Sequence, residues 1–114
     1  MPKNHTINYI EFAAEDLESI KEFYGAAFGW TFTDYGPGYA AFSDGSLDGG
    51  FMKGTPKGEG DALVILFSEN LESSLDRIKE CGGTIAKEIY SFPGGRRFHF
   101  LDPAGNQLAV WSEK

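Results

Sequence analysis

The five residues Glu15-Asp16-Leu17-Glu18-Ser19 return 54 positions later as Glu69-Asn70-Leu71-Glu72-Ser73, and their surroundings return with them. An apolar run precedes each copy, Ile7 to Ala14 in one half and Ala62 to Ser68 in the other. A helix-like segment follows each and closes on glycine, Gly29 first and Gly82-Gly83 second. Further on, Tyr39-Ala40-Ala41-Phe42-Ser43-Asp44 aligns with Arg97-Phe98-His99-Phe100-Leu101-Asp102, and each Asp opens a turn before a last strand. A chain built this way folds as two copies of one strand, helix and three-strand unit, an α+β architecture.

Length and composition bound what such a pair can be. A chain of 114 residues fits one domain, which buries about two thirds of its unfolded surface without staples. Its single cysteine, Cys81, excludes an internal disulfide, and the opening residues lack the apolar core of a signal peptide. No stretch has the length of a membrane span, so a cytoplasmic, soluble protein is expected. The excess of 17 acidic over 10 basic side chains repels nucleic acid and anionic lipid. That charge keeps the protein soluble or, where it meets a partner, favours a cationic one.

The order of elements follows from periodicity and caps. Ile7 to Phe12 alternates as a strand, with Ile10 and Phe12 facing a helix and Tyr9 and Glu11 facing the other way. Asp16 caps a helix whose apolar stripe runs through Leu17, Ile20, Phe23, Tyr24, Ala27 and Phe28. Strands are expected over 30–35, 39–43 and 49–53. Gly54 to Gly60 is the linker, which makes 1–53 module one and 61–114 module two. In the second module, 62–67 is a strand and Asn70 caps a helix that turns Leu71, Leu75, Ile78 and Cys81 inward. Strands over 84–90, 97–101 and 107–112 complete the fold, with turns at Phe92 to Gly95 and at Asp102 to Gly105.

Tyr9-Ile10-Glu11-Phe12, Asp16, Glu22-Phe23-Tyr24 with Phe28-Gly29-Trp30, Gly82-Gly83, and the closing Phe100-Leu101-Asp102-Pro103-Ala104-Gly105-Asn106 carry a family likeness. Together they resemble the vicinal oxygen chelate superfamily, which groups glyoxalase I, extradiol dioxygenases, fosfomycin resistance enzymes and bleomycin resistance proteins. The resemblance implies two tandem βαβββ modules whose sheets curl into an open cup, helices outside and ligand inside. It also implies a homodimer for a chain this small.

In members of that superfamily that hold a divalent metal, the ligands, usually His and Glu, come from the first and last strands of each module. Motif matching puts Tyr9 and Leu63 at the early positions and Phe51 and Ala109 at the late ones, and the internal repeat pairs the same residues. None of the four is an ordinary divalent-metal ligand, so no metal and no other cofactor is expected.

Strand parity then lines the cup with Tyr9, Glu11, Phe51, Lys53, Leu63, Ile65, Phe67, Gln107, Ala109 and Trp111, an aromatic and aliphatic pocket with a few polar handles. Glu11 reads as a ligand anchor, as a general base, or as a buried partner of Lys53 or backbone donors. His99 is a candidate proton shuttle if Phe98 and Phe100 take the helix side, and otherwise an ordinary strand histidine. Arg96-Arg97 is a solvated hairpin end or a contact for an anionic group. Tyr9 and Trp111 can stack on a planar or cationic ligand. Two functions follow. One is a metal-free protein that captures a small cationic or aromatic molecule in a dimeric cup. The other is an enzyme, a lyase, isomerase or dioxygenase, using Glu11 as base or a divalent metal that this matching misplaces. A stand-alone regulatory or scaffold subunit is a third.

Overall fold

The computed structural model describes residues 4, 7–56 and 62–114. His5 and most of the linker, including 57–60, lie outside the described residues. The elements run β1 (Tyr9–Ala14), α1 (Leu17–Phe28), β2 (Thr31–Asp34), β3 (Tyr39–Ser43), β4 (Asp48–Lys53), β5 (Val64–Phe67), α2 (Leu71–Glu80), β6 (Thr84–Phe92), β7 (Gly95–Leu101) and β8 (Gln107–Ser112). The expected βαβββ repeat is therefore present twice, as sheets ordered β1-β4-β3-β2 and β5-β8-β7-β6.

The helices form where the caps direct them. The Asp16 side chain accepts from the Ser19 amide at 3.1 Å, and the Asn70 side chain accepts from the Ser73 amide at 3.0 Å, so each repeat copy is the N-cap and first turn of its helix. Gly29 ends α1 in the left-handed conformation at φ 77°, which a residue with a Cβ adopts only under strain. In each sheet the first strand pairs in parallel with the last, β1 with β4 and β5 with β8, while the other pairings are antiparallel. The β6–β7 hairpin is tighter than expected. Phe92 pairs with Gly95, leaving only Pro93 and Gly94 in the loop, and Gly94 supplies the positive φ.

One face of each sheet meets the helices and is apolar. Phe12, Tyr24, Trp30, Phe42 and Phe51 form a contiguous aromatic cluster in module one, with Trp30 stacked between Tyr24 and Phe42. Phe23 and Phe28 of α1 reach Phe100 of β7, so the cores of the two modules are continuous. A buried polar knot ties the modules as well. Asp102 Oδ2 accepts from Tyr24 Oη at 2.9 Å and from Asn106 Nδ2 at 3.0 Å, while Oδ1 accepts from the Ala104 and Asn106 amides. Asn106 Nδ2 also donates to the Ala13 carbonyl of β1 at 2.8 Å. Four donors on one carboxylate leave its buried oxygens satisfied.

Candidate functional site

Register decides which side chains reach the helix-free faces. In module two, Ile65 pairs with Ala109 and Ala109 with His99, while Phe67 pairs with Trp111 and Trp111 with Arg97. Val64, Leu66, Leu108, Val110, Phe98 and Phe100 take the core side. Ile65, Phe67, Ala109, Trp111, Gln107, His99 and Arg97 therefore share the helix-free face. Leu63 stands half-buried just before β5.

Module one departs from expectation at β4. Glu11 pairs with Gly50, Gly50 with Ala41, and Phe51 with Phe12, so Phe51 belongs to the core side. It is fully buried, 5.2 Å from the Phe12 ring and 5.4 Å from Tyr24. Lys53 shares that parity and lies exposed at the strand end. The reason is turn length. Asp44 to Leu47 separates β3 from β4 by four residues, whereas Asp102 to Asn106 separates β7 from β8 by five. A one-residue offset moves every side chain of a strand to the opposite face. The structural counterpart of Ala109 is thus Gly50, and Phe51 and Lys53 leave the cup lining.

The helix-free face of module one carries a chain of hydroxyls. Tyr39 Oη donates to Glu11 Oε1 at 3.0 Å, and Tyr9 Oη lies 2.6 Å from Tyr39 Oη. Because the Tyr39 proton is committed to Glu11, Tyr9 is the donor to Tyr39. Desolvation, with the hydrogen bonds to Tyr9 and Glu11 behind it, raises the Tyr39 phenol above its ordinary value, so Tyr39 keeps its proton at neutral pH. Tyr39 crosses the sheet over Gly50, where a Cβ would collide with its hydroxyl end. Glu11 is exposed, and its partner is Tyr39 rather than Lys53. Sequence parity carried the signal for Tyr39, since the repeat aligns it with Arg97 and both reach helix-free faces.

Module two presents a basic and aromatic counterpart. His99 is only 8% exposed and sits between Tyr90 Oη, 3.2 Å from Nε2, and Gln107 Nε2, 3.0 Å from Nδ1. Arg97 Nε donates to the same Tyr90 hydroxyl. Lys87 Nζ lies 4.5 Å from the centre of the Tyr90 ring, and the Arg97 guanidinium lies 5.7 Å from that of Phe92. Phe67 stacks edge-on to Trp111 at 5.2 Å and is 53% exposed. Tyr90 escaped sequence reasoning because the β6–β7 ladder is irregular, shifting register between Lys87 and Tyr90. Between edge strands β1 and β5 lies a cleft of about 500 Å³, lined in part by Glu11, Met52, Val64, Asn106 and Gln107.

The family model described as Glyoxalase/Bleomycin resistance protein/Dioxygenase superfamily matches residues 6–110. The chain belongs to this superfamily. No curated protein matches the sequence. Among solved structures, the fosfomycin resistance protein FosX from Listeria monocytogenes, a mutant complexed with Mn(II) and a dihydroxypropylphosphonic acid, is 18% identical with a TM-score of 0.82 over 96% of this chain and 91% of that one. A glyoxalase-related enzyme from Fulvimarina pelagi is 17% identical with a TM-score of 0.80 over 95% of this chain and 88% of that one. TioX from a Micromonospora species is 17% identical with a TM-score of 0.73, covering 96% and 99%. At these identities the likeness is one of fold.

The superfamily implies a divalent metal, and this chain's residues do not fit one. The positions on the first and last strands that match the superfamily's ligand positions hold Tyr9, Gly50 and Ala109, Leu63 precedes β5, and the nearby Glu11 carboxylate is engaged by Tyr39. Among the described residues no three His, Cys, Asp or Glu side chains come together. A catalytic divalent ion needs about three protein ligands. Nor is any helix among the described residues long and apolar enough to cross a membrane.

Proposed function

We propose that this superfamily member is a metal-free binding protein that captures a small cationic or aromatic molecule on the helix-free faces of its sheets, as a cytoplasmic homodimer. One observation carries the reading. The helix-free faces expose Tyr9, Met52, Ile65 and Phe67 at 43 to 53%, beside a committed chain of hydrogen bonds ending on the Glu11 carboxylate. Exposed apolar surface with a few convergent polar groups is the make-up of a ligand or subunit contact. The aromatic rings offer stacking surface, Glu11 offers a counter-charge, and a second copy would cover the apolar remainder.

The enzyme reading asks Glu11 to abstract a proton. Glu11 is exposed rather than held in a dry pocket, and its Oε1 is already engaged by Tyr39. Binding is therefore the better supported reading.

Metal content of protein purified without chelator, paired with thermal melting in nickel, zinc, manganese or iron(II), tests the metal-free part. A ligand that binds only the folded state raises Tm by mass action, so indifference to all four ions is expected. A stoichiometric ion would sink it. Sedimentation analysis at micromolar protein should show a dimer. Hits from a small-molecule melting screen should weaken in Glu11→Gln and Tyr9→Ala, and a hit that both variants bind unchanged would place the ligand elsewhere.

A further inference from the structure

The hydrogen bonds around His99 determine where a proton points. An amide nitrogen only donates, so Gln107 Nε2, 3.0 Å away, makes His99 Nδ1 an acceptor. The neutral ring then carries its proton on Nε2 and donates it to Tyr90 Oη. Arg97 Nε donates to the same oxygen. Both lone pairs of the Tyr90 hydroxyl are thus occupied, and its own O–H is left as a donor with no acceptor among the described residues. The terminal nitrogens of Arg97 have no acceptor among those residues either, and neither Arg97 nor Lys87 forms an ion pair there. The arrangement is fixed from behind, since His99 is 8% exposed and cannot swing away.

Around these donors the surface is apolar. Phe92 lies under the Arg97 guanidinium and 6.4 Å from Trp111, which in turn meets Phe67. Ile65 and Phe67 stand on the same face and are 43% and 53% exposed. The chain as a whole has a net charge of −7, which points to a cationic partner, but the local field here has the opposite sign. A guanidinium, an ammonium and an outward phenolic O–H beside an aromatic shelf are complementary to one class of ligand. The Arg fork and the hydroxyl suit a carboxylate, and the shelf suits a planar apolar body.

We infer that the helix-free face of module two binds an aromatic carboxylate. Its carboxylate is received by Arg97, Tyr90 O–H and Lys87, and its ring lies on Phe67 and Trp111. His99 is a positioning residue, holding the Tyr90 hydroxyl as a donor rather than touching the ligand. This rests on the small-molecule reading above and specifies the charge and shape of the ligand at one end of it.

The test is calorimetric titration of the full chain with 1-naphthoate, its neutral isostere 1-naphthamide, and inorganic phosphate. Naphthoate is expected to bind roughly tenfold or more tighter than naphthamide, and phosphate weakly. Arg97→Gln should abolish the preference for naphthoate. Lys87→Gln, on an exposed side chain whose loss leaves the fold intact, should reduce it about threefold. His99→Gln should reduce it while leaving naphthamide binding unchanged. Equal affinity for naphthoate and naphthamide would overturn the carboxylate assignment while leaving a small-molecule site standing. Phosphate binding as tightly as naphthoate would remove the aromatic shelf from it, and wild-type naphthoate affinity in Arg97→Gln would overturn the site outright. A titration in which none of the three probes binds would overturn it too. The broader reading is scored separately, by the melting screen and by Glu11→Gln.

Discussion

Module one and module two share a topology and differ on the face that the topology leaves open. In module one, Gly50 lets Tyr39 cross the sheet to reach Glu11, and the face ends in a carboxylate fed by two phenols. In module two the same position is Ala109, the cross-strand neighbour is His99, and the face ends in Arg97 and Lys87 around Tyr90. The core faces show no such divergence, because both must be apolar to bury a helix. A duplicated unit is thus held constant where it packs and free to diverge where it does not.

The largest expected effect separates the two faces of a single chain. Phe51→Ala removes a ring buried among Phe12, Tyr24 and Phe42 and should cost about 3–5 kcal/mol in urea unfolding. Phe67→Ala, on a half-exposed ring, should cost under about 1 kcal/mol while weakening ligand binding or dimerisation. Equal losses would mean that the assignment of faces is wrong.

Next comes the joint between the modules. Asp102→Ala strands Tyr24 Oη and two backbone amides and should cost about 2–4 kcal/mol, read by denaturant midpoint. Its pH dependence has a definite sign. Burial raises the Asp102 carboxyl above its ordinary value, against the pull of the Asn106, Tyr24 and Ala104 donors. A group that holds its proton more tightly when folded contributes stability that is complete below its unfolded value and lost as pH rises through the folded one. Asp102→Asn cannot titrate, so its Tm should fall less steeply than that of the wild type as pH rises above the ordinary carboxylate range. Parallel Tm curves would remove Asp102 from the pH response.

The glycine difference between the modules is a smaller matter. Gly50→Ala should displace Tyr39, break its bonds to Tyr9 and Glu11, and cost roughly 1–3 kcal/mol. Ala109→Gly in the other module should cost about 1 kcal/mol from backbone freedom and leave the His99 cluster in place. An NMR spectrum in which Gly50→Ala leaves the Tyr39 ring unshifted would show that the two faces are not built differently at this position. The smallest effect is expected at the exposed pair of Arg96 with Glu72, 2.6 Å apart. The Arg96 side chain holds the Glu72 carboxyl below its ordinary value, and Glu72→Gln should change Tm only slightly and less still at high salt.

Most of the fold was legible in the chain because its signals are local. Asp16 and Asn70 cap their own helices, Gly29 and Gly82 end them, and alternation marks the strands, so the repeat, the element order and the α+β class needed no tertiary information. The module two face was also legible, since Ile65, Phe67, Ala109 and Trp111 fall where parity puts them.

What only the tertiary structure decided was relative placement. The Asp44 and Asp102 turns look alike in sequence, and their one-residue difference matters only once β4 is hydrogen-bonded to β1, where it carries Phe51 into the core and Gly50 onto the open face. Tyr39 meets Glu11 across an intervening strand, and Tyr90 meets His99 and Arg97 past an irregular stretch of ladder. Caps, turns and periodicity act within a few residues of their cause, whereas the facing of a strand and the partner of a polar side chain are fixed by pairing with segments far along the chain.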